Sequence, residues 1–323
     1  MALQYSGVIR AAERLGRPSA VILMYHSVTE DPELTLNTIG MSISRKDFEA
    51  QIRSLVERFA PVSIEQVTQF AKGGCSLPRR AVAVTFDDGF ADNYEFALPV
   101  LKRYGVPATF YIMVNAVEKG VLPWYCRLKF AFKTTTKPEW SDPEQGQRYK
   151  VGTAQARKAA FDRACEIGAK KTGSDQDDFV RLVEQSLDVE PLTLRLMLTW
   201  DQIRSLRKAG HTIGAHTLSH PNLAHVSQDE ARSEIFGCKQ RLEDAVGENI
   251  DHFSYPHPAL NPQWSLQTLQ ITKEAEFKSA VLTTTGPVRC GDEPLALKRI
   301  YVANDLHQWI WNVECTLLGR QIS

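Results

Sequence analysis

The sequence predicts an α/β fold built on a mainly parallel sheet, either open or closed into a barrel. Two observations carry this expectation. Short apolar, β-branched runs recur at residues 20–24, 81–86, 108–113, 211–215, 253–255 and 279–283, the pattern of strands buried on both faces. Between them lie amphipathic stretches with helix-start signatures, and strands alternating with helices make βα units.

Taken in order, the run at 20–24 leads to a helix starting at Ser44, ahead of KDFEAQIRSLVERF, with Asp47 three residues on to complete a capping box. Ser63 with Gln66, Thr199 with Gln202 and Ser227 with Glu230 repeat that signature before the next helices. One segment breaks the rhythm. Residues 120–198 contain no convincing strand, only helical stretches near 153–171 and 175–186, and read as a helical insertion within a single domain spanning 1–323. Inside it, the turn-rich KTTTKPEWSDPEQGQ (133–147) is expected to form an exposed loop.

The 323 residues suffice for one large α/β domain or two smaller ones. Apolar residues at 43% and charged residues at 24% are ordinary globular values and argue against a disordered or fibrous chain. Lys plus Arg (38) balances Asp plus Glu (38), so no net field draws the chain to nucleic acid or anionic lipid. The six cysteines lie far apart with no C-x-x-C pair and are expected to be mostly reduced thiols. Near the N-terminus, Arg10, Glu13, Arg14 and Arg17 interrupt any signal-like apolar run, and no stretch reaches the ~20 apolar residues of a membrane span. Cytoplasmic residence is the expectation.

Chemistry concentrates in two places. AVAVTFDDGF delivers adjacent carboxylates, Asp87 and Asp88, from a strand end to a Gly89 turn. Neighbouring residues leaving a strand point in different directions, so one carboxylate can ligate a cation while the other accepts a proton. The plainer alternative is a helix cap or an Asp-Gly turn. GHTIGAHTLSHPNLAH places His216 and His220 four residues apart beside a Pro221 turn, where two imidazoles can converge on one cation, although isolated pairs of this kind are often surface or core histidines. One carboxylate with two histidines makes a three-ligand set that leaves room for water and substrate.

TFDDG, then GVPATFYI (105–112), then GHTIGAHTLSHPNL resembles a polysaccharide deacetylase of the NodB-homology type, carbohydrate esterase family 4, over roughly residues 81–283. MYHSV (24–28) further resembles the branch containing poly-N-acetylglucosamine deacetylases. The resemblance implies a distorted (β/α) barrel of about seven strands. It implies a divalent metal, zinc favoured, on Asp88, His216 and His220, with Asp87 as general base. The Arg-aromatic-Pro motif corresponds to Ser254-Tyr255-Pro256 and implies that the Tyr255 N–H stabilises the oxyanion. The implied reaction is removal of the N-acetyl group of an amino sugar in a glycan or glycolipid.

Two departures stand out. Ser254 replaces the arginine expected to contact the base, and the Leu-x-His motif expected to supply the acid is absent from SAVLTTTGPVRCG. His26 and His257 are the substitutes, with His26 favoured because it emerges at the end of the first strand run. Trp124, opening the insertion, is favoured among the tryptophans to stack on a sugar, and Trp200 to anchor the helix before His216. His225, His252 and His307 read as surface or structural groups, and His211 as a packing residue. Two alternatives stay open: a hydrolase of another amide on the same fold, and a glycan-binding protein that has lost catalysis.

Overall fold

The computed structural model describes residues 18–30, 41–191 and 196–320. The N-terminal charges Arg10, Glu13, Arg14 and Arg17 lie outside the described residues. Seven parallel strands form a closed barrel: β1 (Ser19–Tyr25), β2 (Ala81–Phe86), β3 (Ala108–Ile112), β4 (Thr212–Ala215), β5 (His252–Ser254), β6 (Ser279–Thr285) and β7 (Leu297–Tyr301). Closure comes from β1, which pairs with β2 from Ala20 opposite Ala81 to Tyr25 opposite Phe86, and with β7 at Leu23 opposite Ile300. The expected α/β barrel of about seven strands is therefore the observed fold.

Six of the strands coincide with apolar runs in the sequence. The seventh, β7, reads LKRIY, and its two charges conceal it. Alternate residues of the strands turn into the barrel, where Ala20, Ile22, Ala81, Ala83, Tyr111, Val281 and Leu297 pack together. Small residues make room for large ones: a Cβ added to Gly214 would sit 2.4 Å from the Tyr111 ring. The helix Ile64–Ala71 contributes Ile64, Val67 and Ala71 to this cluster and closes the N-terminal end of the barrel. The other apolar face of the strands packs against the surrounding helices, in a larger core that includes Leu23, Val84, Phe110 and Phe253.

Ser63, Thr199 and Ser227 form full capping boxes with Gln66, Gln202 and Glu230. Ser44 caps its helix by accepting from the Asp47 N–H, without the return bond of a box. All six cysteines are free of disulfides, and among the described residues no helix is long and apolar enough to cross a membrane.

Among the described residues the 120–198 segment holds three helices, Trp124–Thr134, Ala154–Gly168 and Gly173–Ser186, around an apolar cluster that includes Leu128, Phe132, Ala164, Phe179 and Val183. The segment 133–147 is exposed at most of its positions, as expected, but it contains one strand of a short hairpin. Glu139–Ser141 pairs antiparallel with Arg148–Lys150, and Trp140 is buried against Phe132, ring centroids 5.4 Å apart. Three-residue strands are too short to show alternation, so turn-rich composition hid the hairpin.

Candidate active site

The C-terminal ends of β1, β2, β4, β5 and β7 converge on one polar centre, the usual place for chemistry in a parallel barrel. Period-two alternation along β2 carries Ala81, Ala83 and Thr85 inward and delivers Asp87 to the same interior, while Asp88 turns aside in a left-handed conformation (φ 76°) ahead of Gly89. Asp88 Oδ1 lies 3.4 Å from His216 Nε2 and 3.5 Å from His220 Nε2, and all three side chains are buried. His216 Nδ1 is 2.7 Å from the Ser254 carbonyl. That carbonyl can only accept, so Nδ1 carries the proton and the Nε2 lone pair faces Asp88.

These residues fit a divalent metal. Both Asp88 oxygens are buried without a hydrogen-bond partner, an arrangement that costs free energy unless a cation completes it. A tetrahedral ion with bonds of about 2.1 Å has donor–donor edges of about 3.4 Å, which matches the two carboxylate–imidazole spacings. Two nitrogens and one carboxylate form the open three-ligand set typical of catalytic zinc.

The loop bearing both histidines is held from outside. Glu234, on the helix Gln228–Val246, accepts from the N–H groups of Leu218 and Ser219, both at 2.8 Å, and from Ser219 Oγ. Trp124 Nε1 donates to the His220 carbonyl at 3.1 Å. Trp124 is buried, and a Cβ on Gly168 would lie 2.7 Å from its ring. The sugar-stacking role expected for Trp124 is therefore corrected: its indole is a core group that orients a histidine backbone. Its neighbour Tyr125 sets its ring 5.0 Å from that of His220, with a buried hydroxyl that has no hydrogen-bond partner.

Asp87 is held by a residue that the sequence reading missed. Arg299, on β7 and fully buried, donates Nη1 to Asp87 Oδ1 at 2.8 Å and Nη2 to Asp87 Oδ2 at 2.7 Å, a bidentate fork. The same guanidinium reaches Ser254 Oγ at 3.0 Å, Thr85 Oγ1 at 3.2 Å and the Leu282 carbonyl at 2.9 Å. Ser254 Oγ in turn lies 3.3 Å from Asp87 Oδ2. Burial pushes the Asp87 carboxyl up, but Arg299 first and then His216 outweigh it and hold it below the ordinary carboxylate range.

A model of the polysaccharide deacetylase family matches residues 75–280, which bracket Asp87, Asp88, His216 and His220. The chain belongs to the polysaccharide deacetylase family. The Bacillus subtilis protein YxkH, whose name places it in the same family, is 31% identical over 283 residues, covering 87% of this chain and 71% of that one. A poly-β-1,6-N-acetyl-D-glucosamine N-deacetylase of Staphylococcus aureus is 36% identical over 77 residues only, 24% of this chain and 26% of its own. Among solved structures, the Streptococcus pyogenes deacetylase PplD superposes with a TM-score of 0.62 at 21% identity, over 94% of this chain and 99% of that one. IcaB from Ammonifex degensii gives 0.59 at 19% identity, over 94% and 98%. Both share the fold. Membership makes this protein a hydrolase directed at acetylated carbohydrate.

Within this deacetylase fold the remaining expected residues fall out differently. His26 follows β1 and stands beside Asp87, whose N–H donates to the Tyr25 carbonyl at 3.0 Å. It is buried, and burial lowers its pKa against the opposing pull of Asp88 and Asp87. His257 has both ring nitrogens engaged, with the Leu260 carbonyl and Thr283 Oγ1, each at 3.2 Å. The Tyr255 N–H donates to the Val281 carbonyl at 3.1 Å. That donor belongs to strand pairing, so the oxyanion role expected of it is corrected: the next donor along the chain, past Pro256, is the N–H of His257. His252 binds Ser279 Oγ and faces Glu65 at the opposite end of the barrel, a structural role as expected.

Proposed function

We propose that this protein is a metal-dependent deacetylase that hydrolyses the N-acetyl group of an amino sugar within a polysaccharide or glycolipid. One observation carries the reading: buried, unpartnered Asp88 converges with His216 and His220 beside an Asp87 carboxylate fixed by Arg299. Asp88, His216 and His220 would hold the divalent ion, zinc by its nitrogen-rich donor set, and when bound such an ion acidifies water and polarises an acyl oxygen.

Asp87 then takes the proton of the attacking water. Its Oδ2 lies 4.0 Å from His216 Nε2, so base and ligand set border the same small volume. Arg299 keeps the carboxylate ionised and prevents its rotation, which preserves one orientation for proton transfer. The His257 N–H is the backbone donor for the oxyanion. His26, buried at the strand end beside Asp87, passes to the departing amine the proton that Asp87 takes from water, since its lowered pKa leaves it neutral until it receives one. The balance is one water and one acetamide consumed, one acetate and one free amino sugar formed.

The test is metal analysis of the purified protein together with acetate release from N-acetylglucosamine oligomers. Bound zinc with one acetate per amine formed supports the assignment. Metal and glycan binding without acetate would make the protein a binding module instead.

A further inference from the structure

The insertion carries a groove of about 540 Å³ that the reaction chemistry does not use. Among the described residues its cations are Lys129, Lys133, Arg157 and Lys158, and its one carboxylate is Asp162. Half-buried Phe161 supplies apolar surface over the buried Phe132, and Pro258 joins it from the loop that carries His257. The charges are unevenly satisfied. Lys158 pairs with Asp162 at 2.5 Å. Arg157 spends Nε on the Val151 carbonyl at 2.7 Å and Nη1 on the Lys133 carbonyl at 3.2 Å, which fixes its guanidinium at the end of the helix Trp124–Thr134. Lys129 and Lys133 form no ion pair among the described residues.

Two like charges one helical turn apart repel. Lys129 is also half-buried, and burial, with Lys133 adding to it, holds its ammonium below the ordinary lysine range. Cations arranged this way are stabilised by an anion placed between them. The groove is also tied to the reaction centre by its helix. Tyr125, which packs on His220, shares a face with Lys129, Phe132 and Lys133 at spacings of four, seven and eight residues. From Tyr125 to Lys133 the axis advances about 12 Å, further than one sugar ring extends.

We propose that this groove binds a phosphate group carried by the glycan, near the sugar whose N-acetyl group lies at Asp88, His216 and His220. Lys129, Lys133 and Arg157 Nη2, the one guanidinium nitrogen left over from its backbone bonds, face a dianion. Phe161 takes the apolar face of the group next to it. A uronate-type carboxylate carries half that charge and satisfies one lysine only. The inference rests on the proposed deacetylase reaction and narrows its substrate to a phosphate-bearing N-acetylated saccharide.

The experiment compares three N-acetylglucosamine tetramers on the zinc-loaded full chain: neutral, phosphorylated at the reducing end, and oxidised there to a carboxylate. The expected kcat/KM ratio of phosphorylated to neutral is about tenfold at low salt, the effect of one or two charge-assisted contacts, expressed mainly in KM and reduced by added salt. In Lys129→Gln/Lys133→Gln, and in the more exposed single variant Lys133→Glu, the ratio falls towards one. A wild-type ratio of one with acetate released from all three tetramers overturns the groove and leaves the deacetylase reading standing. Equal preference for the carboxylate overturns the phosphate assignment. Calorimetry with N-acetylglucosamine 1-phosphate provides a readout without turnover: affinity lost in the double variant supports the groove, and affinity unchanged refutes it. Absence of acetate from every substrate strikes the deacetylase reading alone.

Discussion

Replacing Arg299 with leucine tests the arrangement around the base most directly. The guanidinium is fully buried and makes five hydrogen bonds, two of them to Asp87. Arg299→Leu leaves a buried carboxylate without its cation and a Leu282 carbonyl without that donor. Breaking a buried ion pair from one side costs about 3–5 kcal/mol, and at about 1.5 °C per kcal/mol for a domain of this length the melting temperature should fall by roughly 4–7 °C. The sign of the pH effect follows from the same contact. Arg299 depresses the Asp87 pKa, so its removal raises it, and the acid limb of kcat/KM moves to higher pH. Turnover should fall by about 10²–10³-fold as the base loses its fixed orientation. Arg299→Lys keeps a charge without the fork and should recover stability better than rate. Thermal unfolding with and without metal, and kcat/KM across pH, read these effects. An Arg299→Leu protein with wild-type melting and an unmoved acid limb would show that Arg299 neither stabilises nor positions Asp87.

Asp87→Asn should keep its metal and lose about 10²–10⁴-fold in rate, whereas Asp88→Asn, His216→Ala and His220→Ala should lose metal and activity together while keeping native circular dichroism; equal metal loss in the Asp87 variant would sink the division of labour. His26→Ala should bind zinc normally but slow amide hydrolysis far more than hydrolysis of an activated acetyl ester, since a good leaving group needs little protonation; equal slowing of both leaves His26 an orienting role only. At the opposite end of the barrel, the His252 hydrogen bond brings the Glu65 pKa down to about 2. Its stabilising effect is present above the ordinary Glu pKa of about 4.3 and is lost as pH falls through about 2. Glu65→Gln should therefore flatten the acid side of the stability curve measured by denaturant titration, by a modest amount because the carboxylate is 42% exposed.

The barrel was legible wherever burial on both faces forced continuous apolar runs, as at residues 81–86. It was illegible at β7, where an inward arginine and an outward lysine interrupt the run. The candidate ligands were legible because Asp88, His216 and His220 sit in local motifs whose chemistry requires those side chains at those spacings. Arg299, Glu234 and Tyr125 were not, because each approaches the site from a distant element and nothing in its own neighbourhood marks it. Inward alternation along LKRIY is the one signal that could have found Arg299: Leu297 and Arg299 share a face, and an arginine facing a barrel interior needs a carboxylate partner. Trp124 failed differently. An aromatic opening an insertion is equally suited to a sugar or to a core, and only the close approach of Gly168 and the His220 carbonyl decides between them.

The two departures that suggested lost catalysis have a geometric answer at the base. An arginine on β5 at position 254 would reach the carboxylate from two strands away from β7, yet what the base responds to is the distance of the charge, not its place in the chain. Ser254 leaves space in the interior, Arg299 fills it from β7, and the serine hydroxyl bridges the pair. Keeping a guanidinium buried is costly unless a carboxylate meets it, so the substitution at 254 and the arginine at 299 make physical sense only together with an ionised Asp87. A protein that merely held a cation and a glycan would need Asp88, His216 and His220 but not this second, separately neutralised carboxylate. The arrangement therefore favours turnover over binding alone, and it locates the chemical burden of the first departure on a strand that the family motifs do not include.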